Sequence, residues 1–156
     1  MAQVIRWLRR WRRSDDGANL IEFALVLPML LLIVLGIAES GLVFQEYEVV
    51  TNAAREGARM AVLPGYDTPE GHAAVIERVR SYVDAGYVPV TGTNPAITVV
   101  DATVSVTGLP AIPVKRVTVT YTHTITLLSA IDALFGVTYS TVQMTAVSEM
   151  RVELGS

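Results

Sequence analysis

The sequence predicts an α+β protein in which a long N-terminal helix crosses a membrane and continues as a stalk. The stalk packs against a small antiparallel sheet of three or four strands with one additional helix. Three observations support this fold: an apolar run over residues 20–38, an unbroken helical pattern to residue 62, and alternation of β-branched and polar residues in the last third of the chain.

The composition of the chain is unusually apolar. Hydrophobic residues make up 51% of the 156 residues, and the mean hydropathy of +0.43 is too high for an ordinary soluble domain. The predicted segments are a leader over 1–17, a transmembrane helix over 18–38, a stalk helix over 39–62 and a C-terminal α+β domain over 63–156. The chain has no cysteine, which excludes disulfides and thiolate zinc sites.

The charge is divided unevenly along the chain. Residues 1–17 contain five arginines and two aspartates, a net charge of +3, which leaves −6 for the rest of a chain whose total is −3. A basic tip on an acidic body does not suit a nucleic-acid binder. It is typical of a single-pass membrane protein whose arginines stay in the cytoplasm, with its C-terminal domain on the other side.

The apolar run is long enough to cross a bilayer. Its nineteen residues rise by about 28 Å in a helix, close to the hydrocarbon thickness of ~30 Å. Pro28 removes one helical hydrogen bond and should loosen or kink the helix. Glu22 is the only charge in the run, and a charge there costs ~2.5–3.5 kcal/mol on insertion scales.

Three interpretations of this segment compete. It is a permanent signal anchor, a secretory signal cleaved near the small residues Gly36 and Ala38, or the leader and helix of a prepilin. Neither an anchor nor a secretory signal gives a reason for Glu22.

The stretch from Gly17 to Phe23 (GANLIEF) resembles the cleavage region of type IV prepilins, especially of the Flp/Tad branch. In that family a prepilin peptidase cuts after the glycine, so the resemblance implies cleavage after Gly17 and a new amine on Ala18. It also implies that Glu22, the fifth mature residue, pairs with the N-terminal amine of a neighbouring subunit, with Phe23 beside it. That pairing would explain why a buried carboxylate is tolerated.

A second motif extends the resemblance to TadE-like proteins, over roughly residues 15–62. Pro28 belongs to the first part of the pattern, and the segment TNAAREGARMAV to the second. The residues that carry the second motif include Asn52, Ala53, Arg55, Glu56, Gly57 and Arg59.

The resemblance implies a pilin-like fold and a minor pseudopilin of a Flp/Tad-type pilus, a structural and assembly subunit present in few copies. The implied partners are the inner membrane, prepilin peptidase, the assembly platform, and other pilins and pseudopilins (a TadF-like protein and the major Flp pilin) through helix packing. The expected location is the bacterial inner membrane, with the domain periplasmic and, after assembly, at the cell surface, where it could mediate adhesion. The alternative is a periplasmic scaffold or binding module on a permanent tether.

Residues 39–62 predict a stalk with two stripes. Phe44, Tyr47, Val50, Ala54, Gly57 and Ala61 recur at helical spacing on one of them. The small residues in its lower part predict a close approach, either to the domain's own sheet or to neighbouring subunits. Glu46 and Glu48 are interpreted as a solvated acidic face, and Arg55 and Arg59 as possible hydrogen-bond donors to carbonyls at the sheet edge.

The C-terminal domain is predicted element by element. Thr68, Pro69 and Gly86 predict the beginning and end of a helix, and residues 87–95 a loop. Strands are predicted over 97–106, 114–127 and 137–152, with a short helical or irregular link over 129–135. In the second strand His123 shares the buried face with Val117, Val119 and Tyr121, opposite a row of threonines.

Catalytic patterns are scarce, so we expect no enzyme, no cofactor and no metal site. The two histidines, His72 and His123, are more than fifty residues apart, and there is no phosphate loop, HExxH or GxSxG motif. His123 is interpreted as a core or cross-strand residue, and Asp101 and Asp132 as turn or cap residues.

Overall fold

The protein is described from a computed structural model, which describes residues 15–86, 93–108, 110–131, 136 and 141–152. The predicted leader lies almost wholly outside these residues, as does Asp132. The chain divides into two compact units. One contains Met1–Glu39 with Leu127–Tyr139, and the other contains Ser40–Thr126 with Ser140–Ser156.

The described part of the chain confirms the α+β fold, with a long apolar helix, one more helix and a three-stranded antiparallel sheet. The elements are α1 (Asp15–Ala61), α2 (Pro69–Ala85), β1 (Thr93–Val104), β2 (Ile112–Thr124), a 3₁₀ helix (Leu128–Ile131) and β3 (Thr141–Arg151). The strand order is β1-β2-β3, so β2 is paired on both sides.

Helix α1 is continuous through Pro28 and ends at Ala61, one residue before the predicted end of the stalk at residue 62. Gly65 adopts a φ of 91°, a left-handed conformation that glycine reaches without strain. Helix α2 begins as the sequence predicts. Thr68 is its N-cap and its Oγ1 accepts a hydrogen bond from Gly71 N at 3.0 Å, while Gly86 is the C-cap.

The sheet differs from the prediction mainly at its first strand. Thr93–Pro95, predicted as loop, belong to β1, and the pairing register shifts between Thr93 and Ala96. The remainder of the predicted loop lies outside the described residues. Strand β2 alternates as predicted, with Val117, Val119, Tyr121 and His123 buried and the intervening threonines half-buried.

The core of the second unit lies between the helices and one face of the sheet. Valine, alanine, tyrosine and methionine side chains of α1, α2, β2 and β3 form it. On α1 the core consists mostly of alanines, so the helix lies close to its neighbours. Its buried members on this helix are Val50, Ala53, Ala54, Ala58 and Ala61.

Candidate functional site

Most of the apolar part of α1 is uncovered within the described chain. Most of its large side chains are exposed, from Leu20 and Ile21 to Ile37, whereas Leu27, Leu32 and Leu35 are half-buried. The most apolar 18-residue window of this helix has a mean hydropathy of 2.8, and among the described residues it is the one helix long and apolar enough to cross a membrane. A surface of this kind needs either lipid or other apolar helices around it.

The residues predicted for processing and assembly lie on the first turns of α1. Gly17 is half-buried, and Ala18, Glu22 and Phe23 are exposed. Glu22 lies five positions beyond Gly17 along the helix, a rise of about 7.5 Å. No hydrogen bond or ion pair joins Glu22 to the other residues that the structure describes.

The second motif is divided between two faces of α1. Asn52, Arg55 and Arg59 are exposed, whereas Ala53 and Gly57 are buried. Arg59 donates from Nε and Nη2 to the two oxygens of Glu56, both at 3.0 Å, and Arg78 lies 3.6 Å from the same carboxylate. The hydrogen bond from Arg59 lowers the pKa of Glu56. Arg59 therefore pairs along its own helix, and the prediction that it binds the sheet edge is wrong.

Gly57 has a packing role inside the domain. A Cβ atom at this position would lie 2.5 Å from Val79 Cγ2 of α2 and 3.2 Å from Val117 Cγ1 of β2. Real Cβ atoms do not make contacts of 2.5 Å, so the glycine permits the close approach of three elements. The small residues of the motif thus serve as the seat for the domain's own sheet and second helix.

The upper part of the stripe that runs from Phe44 to Ala61 lies outside the core. Phe44 is 63% exposed and Tyr47 is 46% exposed, while Glu46 is buried at 1%. The reason is that β2 presents a polar side chain, His123, to this level of the helix. Phe44 and Tyr47 instead line a surface depression of about 340 Å³ together with Glu48, Thr51, Asn52 and Arg55.

Glu46 and His123 form a buried pair that sequence reasoning missed. His123 Nδ1 lies 2.8 Å from Glu46 Oε2, and both side chains are 1% exposed. The interpretation of Glu46 as part of a solvated acidic face is therefore wrong, although Glu48 is exposed as predicted. His123 lies on the buried face of β2, as predicted. The acid at a helical core spacing and the histidine in an apolar row were the signals that could have been combined.

A second polar cluster lies at the end of the sheet, where Lys115 is 3% exposed by its side chain. Its ammonium pairs with the carboxylates of Asp67, in the turn after α1, and Asp101, on β1. Asp101 is directly opposite Lys115 in the strand register, so its interpretation as a turn or cap residue is wrong. Burial of Lys115 opposes its charge, but the hydrogen bonds that its ammonium donates to Asp101 and Asp67 outweigh this and raise its pKa.

Three possible metal-ligand atoms lie within 4.8 Å of one another, one on each of Asp67, His72 and Asp101. The ammonium of Lys115 already pairs with both carboxylates, so a divalent cation would have to displace it. The cluster borders a surface depression of about 410 Å³ that is also lined by Thr103, Pro113 and Val152. Its geometry is that of a structural ion-pair network that joins β1, β2 and the α1–α2 turn.

One comparison with known proteins gives a match. Residues 17–59 match the TadE-like protein family, over the apolar helix and most of the stalk. The match begins at the predicted cleavage residue and ends at Arg59, so it includes both sequence motifs and none of the sheet. It is consistent with a TadE-like protein of a Flp/Tad pilus system. No curated protein and no solved structure matches the chain.

Proposed function

Because residues 17–59 carry the TadE-like pattern, we propose that the protein is a minor pseudopilin, a structural and assembly subunit of a Flp/Tad-type pilus rather than an enzyme. The single observation that carries the proposal is the exposed apolar surface of α1, with one carboxylate, Glu22, five residues beyond Gly17. This surface suits first a lipid environment and later the helices of other subunits.

In the proposed pathway, the chain enters the inner membrane with its arginines in the cytoplasm and its C-terminal domain in the periplasm. A prepilin peptidase cuts after Gly17 and creates an amine on Ala18. Assembly then exchanges lipid contacts for helix contacts, and the charge of Glu22 is neutralised by the amine of an adjacent subunit. The other partners are the assembly platform, a TadF-like protein and the major pilin.

The exposed charges of the second motif contribute in a different way. Glu56 and Arg59 pair on the solvent side of α1, where the pair keeps the stalk polar above the membrane. Gly57 holds the domain against the stalk on the other side. One segment thus joins an assembly helix to a folded domain that could act at the cell surface in adhesion or initiation.

Mass spectrometry of the protein from cells with an active prepilin peptidase tests the processing step. We expect an N-terminus at Ala18, and an uncut chain both in the G17R variant and in a strain without the peptidase. An uncut wild-type chain in the active strain would contradict the proposal and favour a permanently tethered binding module. A start at Glu39 would instead identify a secreted domain.

The assembly step has its own test. Glu22→Ala should leave membrane insertion intact, because it removes a charge from the apolar run, but should reduce incorporation into sheared pili. Glu48→Ala is the matched control, because Glu48 is an exposed acid on the same helix beyond the run. Normal incorporation of the Glu22→Ala chain would show that the amine pairing is not needed.

A further inference from the structure

The first acid beyond the apolar run is buried and bound to a distant part of the chain. Glu39 follows directly after residues 20–38 and is 4% exposed. Its Oε2 accepts a hydrogen bond from the backbone N–H of Leu127 at 2.8 Å. Both residues belong to the same compact unit, which combines Met1–Glu39 with Leu127–Tyr139. The segment after β2 is therefore hydrogen-bonded at Leu127 to α1, at the level where the apolar run ends.

This level has a definite depth if α1 crosses a bilayer, as the proposed function requires. The run rises by about 28 Å and the hydrocarbon core is ~30 Å thick, so Glu39 lies at the boundary between hydrocarbon and headgroups. An N–H donor 2.8 Å from its carboxylate lies at the same boundary. Leu127 cannot leave this depth while the hydrogen bond is intact.

The side chains at this point are apolar. Strand β2 ends in threonines, but the chain then changes to Leu127 and Leu128, which are half-buried, and enters the 3₁₀ helix Leu128–Ile131. The sequence of residues 127–135, LLSAIDALF, has a single charge, at Asp132. Short apolar segments of this kind gain free energy when they enter the interfacial zone of a bilayer, about 5–10 Å deep.

We propose that Leu127 and Leu128 insert into the lipid boundary on the C-terminal side of the membrane helix, as a second membrane contact of the chain. The occupant of this surface is lipid, because the hydrogen bond from Leu127 N to Glu39 holds the two leucines at the depth where the apolar run of α1 ends. The carboxylate of Glu39 holds the two leucines at this depth, because it accepts a hydrogen bond from the backbone N–H of Leu127. The proposal rests on the membrane anchoring of the proposed function.

Depth-dependent fluorescence quenching tests the proposal on the full chain. The chain is reconstituted in vesicles of phosphatidylcholine and phosphatidylglycerol, with W7F and W11F to remove the native tryptophans. Single probes are then introduced as L128W, as L31W in the middle of the run, and as L63W in the exposed turn beyond α1. Lipids brominated near the headgroup or near the chain end quench each probe according to its depth.

We expect the L128W probe to lose most of its emission to lipid brominated near the headgroup, the L31W probe to lipid brominated near the chain end, and the L63W probe to neither. Glu39→Ala should reduce quenching of the L128W probe, and Glu39→Gln, which keeps an acceptor oxygen, should restore it. Circular dichroism of each variant checks that the fold is retained.

Two results would overturn the proposal separately from its premise. Quenching of L31W without quenching of L128W would support the membrane helix and contradict the second membrane contact. A blue-shifted but unquenched L128W probe in a chain that has become dimeric would mean that a second copy covers these leucines. Absence of quenching at L31W would overturn the membrane anchoring and the second contact together.

Discussion

His123 Nδ1 on β2 lies 2.8 Å from Glu46 Oε2 on α1, and this pair fastens the stalk helix to the sheet inside the core. Both side chains are nearly inaccessible to water, so neither can lose its partner without a large cost in desolvation. The pair lies one turn of helix above the alanine-rich seat that begins at Val50.

Removal of one member of this pair should strongly destabilise the domain. We expect Glu46→Ala to reduce the free energy of unfolding by about 1–3 kcal/mol, because it leaves His123 buried without this acceptor. Urea unfolding of the full chain in detergent micelles, followed by near-UV circular dichroism, measures the effect. The control is Glu48→Ala, an exposed acid two residues away, which should change stability by less than about 0.5 kcal/mol. Equal effects of the two variants would contradict the buried pairing.

Gly57 should not accept a larger residue. Gly57→Val adds side-chain atoms where a Cβ alone would lie 2.5 Å from Val79 Cγ2, so we expect a loss of about 1–3 kcal/mol from overpacking. Adding Val79→Ala should recover part of this loss, since it removes the clashing methyl groups. Gly41→Ala, a helical glycine with no atom within 4 Å of its added Cβ, is the control and should not destabilise. A destabilised control or an unaffected Gly57→Val variant would refute the close approach.

The Lys115 network should make stability depend on pH on the acid side. The hydrogen bond from Lys115 holds the pKa of Asp67 below its ordinary value of about 3.9. A lowered pKa in the folded state contributes stability above the unfolded pKa and loses it as the pH falls through the folded pKa. The raised pKa of Lys115 has the opposite effect on the pH dependence. Its contribution to the stability of the folded state is present below about pH 10.4 and is lost at more alkaline pH.

Asp67→Asn should therefore lower the melting temperature at neutral pH and flatten its decline on acidification. Thermal unfolding between about pH 3 and 7 measures this slope. Asp84→Asn, at an exposed acid of α2, is the control and should keep the wild-type slope. An unchanged slope in Asp67→Asn would exclude this carboxylate from the acid-side loss. The double variant D67N/D101N should be the least stable, because it leaves the Lys115 ammonium buried without either carboxylate.

The N-cap of α2 should contribute a measurable share of stability. Thr68→Ala removes the oxygen that accepts from Gly71 N, and we expect a loss of about 1 kcal/mol. Thr68→Ser keeps the hydroxyl and should retain most of the stability. If the serine variant is as unstable as the alanine variant, packing of the threonine methyl group, and not capping, is responsible.

The sequence predicts the elements that local patterns specify. Helix α2 is predicted at both ends because Thr68, Pro69 and Gly86 are local signals, and the inward face of β2 follows from its alternation. The processing and assembly residues come from a resemblance confined to the first part of the chain, which the family match over residues 17–59 confirms. Cleavage and pairing themselves stay predictions.

The errors at the buried polar clusters concern partners that lie far away in sequence. The sequence places Glu46 beside Glu48 in an acidic patch and favours a solvated face, whereas its partner His123 is 77 residues away. The sequence favours a turn or cap role for Asp101, whereas the strand register places it opposite Lys115. Helical spacing alone could not distinguish the faces of Phe44 and Glu46, since the choice depends on what the sheet presents.

The last strand determines the order in which the protein can be completed. Strand β3, Thr141–Arg151, supplies Met144 and Ala146 to the core and pairs with β2 along its whole length. During synthesis these residues emerge after the apolar helix has already left the ribosome. On the proposed function, the anchor is available to the bilayer before the domain has a finished sheet, and a chain released a few residues early would carry the anchor but be unable to close its core.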